Sequence, residues 1–499
     1  MGQGLGQQRR VASVCSGAAS LIVFVLLVHL PASPQTARAK SAVTPRVALP
    51  DIVFVQTPKL VLAPLAQRFP QGSAIVRLPA SAAQRVLVHL SDGFFAAADP
   101  QVSFDGARIL FSGQKRQGDR WQLWEMNLDG SNKRQVTHCT EHCLRGAYLP
   151  AEEIAVTVQE TKGTHPLSYL AVVNNDGTGF HRITFGNAPF QLETVLRDGR
   201  IVASASWPLV GAQQQGAARI LYTLRPDGTA LESFRCEHSD KATQADAEEL
   251  DDGSLVFVRG SAAEARVSGE LMLIRQGAPG ATPLGPRQIA FESPRQIFAK
   301  ELLVARQAAA ASSSPALFEI YRLNLQTGAL GARVYADSHL SSIQPTPVIA
   351  RTVPKRYWDT LNPQSSTGNF ISLNSYLSAD APRGRISQQI AKVRVFTLDS
   401  NDGHERNLGD APVESDGSFF VQVPANWPVR FVLLDAKGQT IREEHGWIWA
   451  RPGEERGCTG CHGDKALAPE NHWPETLRRF DTPTRLGEIS HGSAQSQAK

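Results

Sequence analysis

The chain of 499 residues is 42% apolar, 20% charged and only 7% aromatic, which excludes a disordered polymer and is too long for one ordinary domain. Its 51 Lys and Arg against 47 Asp and Glu give a formal charge of +4, and Arg9, Arg10 and Arg38 lie in an acid-free N-terminal stretch, so the near-neutral body offers no electrostatic footprint for nucleic acid. With 40 Gly and 31 Pro beside 3 Met and 7 Tyr, the composition predicts many turns, little long helix and a mostly β protein.

Arg9 and Arg10 precede an uncharged run from Val11 to Leu30, followed by Pro31, Pro34 and Ala37-Arg38-Ala39. This is the pattern of a secretory signal peptide over residues 1–39, with a mature chain starting near Lys40. The same run is long enough to cross a bilayer, so an uncleaved N-terminal membrane tether is the alternative. Either reading predicts a body that is periplasmic or otherwise exported. Cys15 follows Val14 rather than a small residue and does not fit a lipoprotein cysteine.

Residues 51–340 repeat a loose unit in which one Asp-Gly turn opens a β-rich run and a second closes it. The clearest copy runs from Pro100 to Thr137. There Ser103-Phe104-Asp105-Gly106 leads into Ile109-Leu110-Phe111-Ser112, and Leu123-Trp124-Glu125-Met126-Asn127-Leu128 ends at Asp129-Gly130. Closing pairs recur at Asp176-Gly177 and Asp227-Gly228, roughly 50 residues apart, and opening pairs at Asp198-Gly199 and Asp252-Gly253. Weaker copies flank these, the last with Leu325-Gln326-Thr327-Gly328 in the closing position. The repeat resembles the TolB-like PD40 unit, which implies a β-propeller of about six blades.

Residues 341–450 lack the repeat and read as a small β-sandwich-like domain. Pro345, Pro347, Pro354 and Pro363 give it an extended, linker-like opening. Runs of strand-like alternation with Asp-Gly or Lys-Gly turns follow at Lys392 to Phe396, Ser415 to Pro424 and Val429 to Gly438. Trp447 and Trp449, two apart, are expected on one side of the next strand, either in the sandwich core or against a cofactor.

Residues 451–499 carry Cys458-Thr459-Gly460-Cys461-His462, the C-x-x-C-H sequence of covalent c-type haem attachment. Two thiols at this spacing reach both vinyl groups and the adjacent imidazole meets the iron. A redox disulfide or half of a zinc site would use the cysteines but leaves the following His unexplained. One haem c on Cys458 and Cys461, with His462 as proximal iron ligand, is the expectation.

The stretch from Arg430 through Gly446-Trp447-Ile448-Trp449-Ala450-Arg451-Pro452-Gly453-Glu454-Glu455-Arg456-Gly457 into the motif resembles the middle domain of the hydrazine synthase alpha subunit family. Members also carry an N-terminal propeller, so the resemblance covers nearly the whole mature chain, loosely outside this stretch. In that enzyme, the resemblance implies, a tyrosine after the motif binds iron and the motif histidine binds zinc. This chain has no Tyr after Tyr376, so His462 is expected on iron and hydrazine is not the expected product.

For the sixth iron position the histidines at hand are His472, His491 and His445; Met126 and Met272 lie in propeller strands. An open position would permit chemistry on a small nitrogenous or oxygen ligand, whereas bis-His ligation would make an electron relay. Arg451, Arg456, Arg478 and Arg479 bracket the motif as partners for haem propionates, or are simply exposed charge. A second cluster, His138-Cys139-Thr140-Glu141-His142-Cys143 with Cys236-Glu237-His238, reads either as a zinc site or as a disulfide between Cys143 and Cys139 or Cys236.

No phosphate-binding Gly-rich loop or nucleophile elbow is present. The function expected is one-electron redox or electron transfer by an exported c-type haem protein, with a redox partner protein or a small-molecule electron donor or acceptor. The alternatives are a haem-dependent oxidoreductase with an open iron and a propeller-based binding scaffold whose haem is structural.

Overall fold

The computed structural model describes residues 48–487, apart from 59, 61–64, 81–85, 162–166, 207–218, 235–241, 262–267, 276–279, 309–316, 379–380, 399–403, 445 and 461–471. The expected signal peptide, and with it Cys15, lies outside the described residues. Among those described the strands form eight four-stranded sheets, and the helical elements are short 3-10 turns. No helix among them is long and apolar enough to cross a membrane.

Six of the sheets are the blades of a β-propeller. Their innermost strands are Ala96–Val102, His142–Leu149, Gln191–Val195, Ala242–Glu249, Phe291–Phe298 and Ser341–Pro347. Ser341–Pro347 was expected to open the second domain. Instead it pairs antiparallel with Ile52–Thr57 and supplies the innermost strand of the first blade, so the two ends of the propeller sequence close the ring in one sheet. Of the prolines that made this segment look like a linker, Pro345 sits with Gln344 in a bulge between Ile343 and Thr346, a place that tolerates a missing N–H, and Pro347 ends the strand opposite Ile52.

The Asp-Gly turns do more than reverse the chain. Gly177 and Gly228 have φ of 89° and 82°, and a Cβ there would lie 2.5 Å from the Val136 carbonyl oxygen and 2.4 Å from that of Ile183. Each closing turn therefore abuts the preceding blade, and both the backbone angle and the space require glycine.

The remaining two sheets form a sandwich. One has Thr367–Ser372 and Phe419–Pro424 at its centre; the other has Lys392–Leu398 and Val429–Leu434. Phe370, Val393, Val395, Val421, Val423 and Phe431 fill the space between them. The C-terminal segment, treated above as separate, adds two edge strands to the first sheet, each in parallel: Glu455–Cys458 beside Thr367–Ser372, and Thr484–Arg485 beside Phe419–Pro424.

Trp447 and Trp449 go to different partners. Trp447 is buried beside the Arg430 guanidinium, 5.8 Å from its ring centre. Trp449 is buried in the apolar core of the propeller with Leu170, Ile183, Phe190 and Leu231. Its indole N–H donates to the Gly228 carbonyl at 3.0 Å, and its ring meets Phe185 and Phe190 edge-on at 5.7 Å. Trp449→Ala should cost about 3–5 kcal/mol in denaturant unfolding, and Gly228→Ala roughly 2 kcal/mol from its left-handed backbone alone.

Candidate functional site

The haem-type motif begins where an edge strand ends. Cys458 is opposite Ser372 in the parallel ladder, and its carbonyl accepts the Leu373 N–H at 2.8 Å. Its thiol is half-buried and not disulfide-bonded, and burial pushes its pKa up against the opposing effect of Arg456. A Cβ on Gly460 would sit 2.6 Å from the Leu377 carbonyl oxygen, so glycine between the two motif cysteines lets the chain pass close to that backbone. Cys461 and His462 lie outside the described residues, as do His445, His491, Cys236 and His238.

The arginines expected at propionates have other work. Arg451 is buried, donates through Nε to the Asp227 carbonyl at 2.8 Å and through Nη1 to Asn426 Oδ1 at 2.6 Å, and stacks on Phe185. Arg456 donates to the Trp449 carbonyl at 3.0 Å and to that of Leu231. Arg479 is tied to Glu414 and Asp481. Arg478 is exposed. Burial lowers the Arg451 pKa, yet its hydrogen bonds to backbone and Asn426 keep the charge satisfied. Arg451 and Arg456 thus dock the motif-bearing strand on the propeller.

His472 is also engaged. Its Nε2, the nitrogen a histidine commonly offers to a metal, lies 3.1 Å from Asp416 Oδ2. The same oxygen accepts the Glu475 N–H at 2.8 Å, and Oδ1 accepts that of Ser418 at 2.8 Å. Burial works to raise the Asp416 pKa, but the bonds from Ser418, Glu475 and His472 outweigh it and hold the carboxyl below its usual value.

In the second cluster Cys139 and Cys143 are disulfide-bonded, with Cα atoms 6.3 Å apart. Both sulfurs are spent, which overturns the zinc reading for His138, Cys139, His142 and Cys143. The segment is a loop leading into the strand His142–Leu149 rather than a helix, so four-residue spacing does not stack the ligands on one face. His138 Nδ1 faces Gln135 at 3.2 Å, and His142 Nδ1 accepts the Trp121 N–H at 3.2 Å. Burial pushes the His142 pKa down. No group of three His, Cys, Asp or Glu among the described residues is placed to hold a metal ion.

A polar ring on the propeller axis escaped sequence reading. Every innermost strand carries a bulge at the same level. Asp99, Arg145, Asp246, Ser293 and Gln344 sit there with φ between 49° and 54°, joined by Glu193 from the remaining strand. All six are buried around one small cavity. Arg145 Nη2 reaches Asp246 Oδ1 at 2.9 Å and Glu193 Oε2 at 3.3 Å, and Gln344 Nε2 donates to Asp99 Oδ1 at 2.8 Å. No shared residue type or local pattern marks these positions in the sequence, since their strands carry other polar residues as well.

The fold and this site define a six-bladed propeller joined to a sandwich whose edge strand delivers a C-x-x-C-H motif. Residues 378–463, ending just past that motif, match the family model of the hydrazine synthase alpha subunit middle domain. The chain is 24% identical to hydrazine synthase subunit alpha of Kuenenia stuttgartiensis over 591 aligned positions, 87% of this chain and 69% of that one. The solved Kuenenia stuttgartiensis hydrazine synthase superposes with a TM-score of 0.74 at 20% identity, covering 86% of this chain and 71% of that one. TolB of Acinetobacter baumannii aligns with 59% of this chain and 66% of its own, at 11% identity and a TM-score of 0.40. The chain is thus similar to the hydrazine synthase alpha subunit, with a middle domain of that type.

The depressed Asp416 pKa has a definite sign in stability. Its contribution is present above the unfolded-state value and is lost as pH falls through the folded one. The stability gap between wild type and Asp416→Asn should therefore be widest at neutral pH and close below about pH 4, read from urea unfolding at a series of pH values.

Proposed function

We propose that this is an exported c-type haem protein that carries out one-electron redox, with haem attached through Cys458 and Cys461 and His462 as the proximal iron ligand. The observation that carries the reading is the placement of the C-x-x-C-H run at the end of the strand Glu455–Cys458, inside the segment matched to the hydrazine synthase alpha middle domain. The residues suit the group: a half-buried free thiol at Cys458, a glycine where the backbone is crowded, and a donor set of two sulfurs and an imidazole. Such a haem supplies exchange of one electron between ferric and ferrous iron.

The protein's own residues hold and orient. Arg456 and Arg451, bonded to Leu231 and Asp227, fix the strand that ends in Cys458 against the propeller. Leu373 pins the Cys458 carbonyl. Asp416 keeps the His472 imidazole on its own turn, which supports a reading in which a small ligand, rather than His472, has access to the sixth iron position. Under that reading the protein is a haem-dependent oxidoreductase, and otherwise it passes electrons to a partner.

The test is the visible spectrum of the protein matured with a c-type haem system, in ferric, dithionite-reduced and CO-treated forms. One covalent haem per chain in wild type, and loss of at least one thioether in Cys458→Ala, is expected from the pyridine haemochrome. Absence of covalent haem in wild type refutes the reading. A reduced spectrum that shifts under CO supports small-ligand chemistry; one that does not shift favours electron transfer through a strongly ligated iron.

A further inference from the structure

Between the propeller strand Ser341–Pro347 and the sandwich strand Thr367–Ser372 the chain forms neither helix nor strand. Backbone bonds nonetheless fix its path: the Arg351 N–H donates to the Phe104 carbonyl at 2.7 Å, that of Lys355 to Arg197 at 3.0 Å, and that of Asn362 to Pro452 at 2.9 Å. Phe104 and Arg197 belong to the turns that follow the innermost strands of two different blades, so this strap crosses from blade to blade at one end of the propeller before reaching the sandwich.

What the strap shows to solvent is both cationic and apolar. From Val348 to Trp358 it carries Arg351, Lys355 and Arg356 and no acid, and all three are exposed. Val353 is 54% and Trp358 72% exposed, although the core of the body takes up most large apolar side chains. The Arg356 guanidinium lies 4.7 Å above the Trp358 ring, so cation and indole are presented together. Asp198, the carboxylate that feels Lys355, is already bonded to Arg200. An indole beside several cations suits a surface with negative headgroups over an apolar layer. The place where the body begins favours that surface over an acidic protein. Leu49 and Ile349 pack against one apolar cluster and the Val348 N–H donates to the Asp51 carbonyl, so the strap starts beside the first residues of the body. Only residues 31–48 separate Leu49 from the uncharged run Val11 to Leu30, a lead of at most about 60 Å when fully extended. A run retained in a bilayer would keep the strap within that reach of the surface.

We propose that the strap is a membrane-contact surface for anionic phospholipid, with Trp358 and Val353 entering the headgroup layer and Lys355 and Arg356 meeting the lipid charges. The propeller supplies the rigidity, because the backbone bonds to Phe104 and Arg197 fix the strap before it meets lipid and leave little to order on binding. The surface is separate from the motif at Cys458 and stands or falls independently of haem.

The test is co-sedimentation of the full chain with phosphatidylcholine vesicles made with and without phosphatidylglycerol. Wild type should partition onto the anionic vesicles at least tenfold more strongly than onto the neutral ones, and added salt should erase the difference. Lys355→Gln combined with Arg356→Gln should weaken anionic binding roughly thirtyfold, at about 1 kcal/mol for each cation near the surface. Trp358→Ala should weaken it about tenfold. These side chains are exposed, so the variants should keep the wild-type Tm within about 2 °C. A retained run from Val11 to Leu30 would hold both kinds of vesicle alike and ignore the strap variants, so equal binding to both lipids overturns the proposal. Anionic binding that persists unchanged in the variants overturns it as well. Failure of wild type to bind either vesicle also overturns it, and makes an acidic protein surface the occupant to examine.

Discussion

The position of the motif rests on one buried tryptophan. Trp449 leaves the sandwich and enters the propeller core, where its ring replaces water against Phe185 and Phe190 and its N–H takes the Gly228 carbonyl. The burial is apolar and non-directional, worth several kcal/mol for a ring this size, while the hydrogen bond sets its depth and angle. Arg451, two residues on, binds the neighbouring Asp227 carbonyl, Glu454 accepts the Ala230 N–H, and Arg456 reaches Leu231. Four side chains from an eight-residue stretch thus read one turn of the propeller, and Cys458 follows two residues later. A C-x-x-C-H sequence needs no such arrangement to carry haem; the docking gives it a fixed neighbour.

That neighbour is stiffened by ring closure. Ser341–Pro347 pairs with Ile52–Thr57, so the first blade is built from both ends of the propeller sequence. Closure also brings Gln344 beside Asp99, 245 positions away in sequence: the Asp99 backbone N–H donates to Gln344 Oε1, and Gln344 Nε2 donates to the Asp99 carboxylate. The buried ring therefore doubles as a latch. Its polar groups are tolerable in the interior because almost every one has a partner, and losing a partner would leave charge buried without compensation.

How much of this was legible in the sequence depended on whether the signal was local. The Asp-Gly turns announced the propeller because the left-handed geometry of a tight turn demands particular residues at a particular place. Cys458, Cys461 and His462 stood out because their C-x-x-C-H spacing is the one that covalent haem attachment would need. Ser341–Pro347 was misread since its prolines resemble a linker until the bulge that accommodates them is known. Arg451 and Arg456 were read as propionate partners or as exposed charge because they flank the motif, and nothing local reveals that backbone carbonyls more than 200 residues away receive them. The axial ring was invisible for a related reason: the blades contribute Asp, Arg, Glu, Asp, Ser and Gln, and what five of the six share is a left-handed backbone rather than a residue type.

The flanks of the motif obey the same economy of anchoring. On one side Cys458 is fixed by Leu373; on the other His472, Glu475 and Thr476 are held by Asp416 and Ser418. These two anchors are joined to each other, since the Ser375 N–H donates to the Gly417 carbonyl at 2.8 Å. Cys458 and the segment from His472 to Thr476 are therefore tied to one framework, that of the sandwich. The sandwich thus acts as the frame and the propeller as the wall against which it is set.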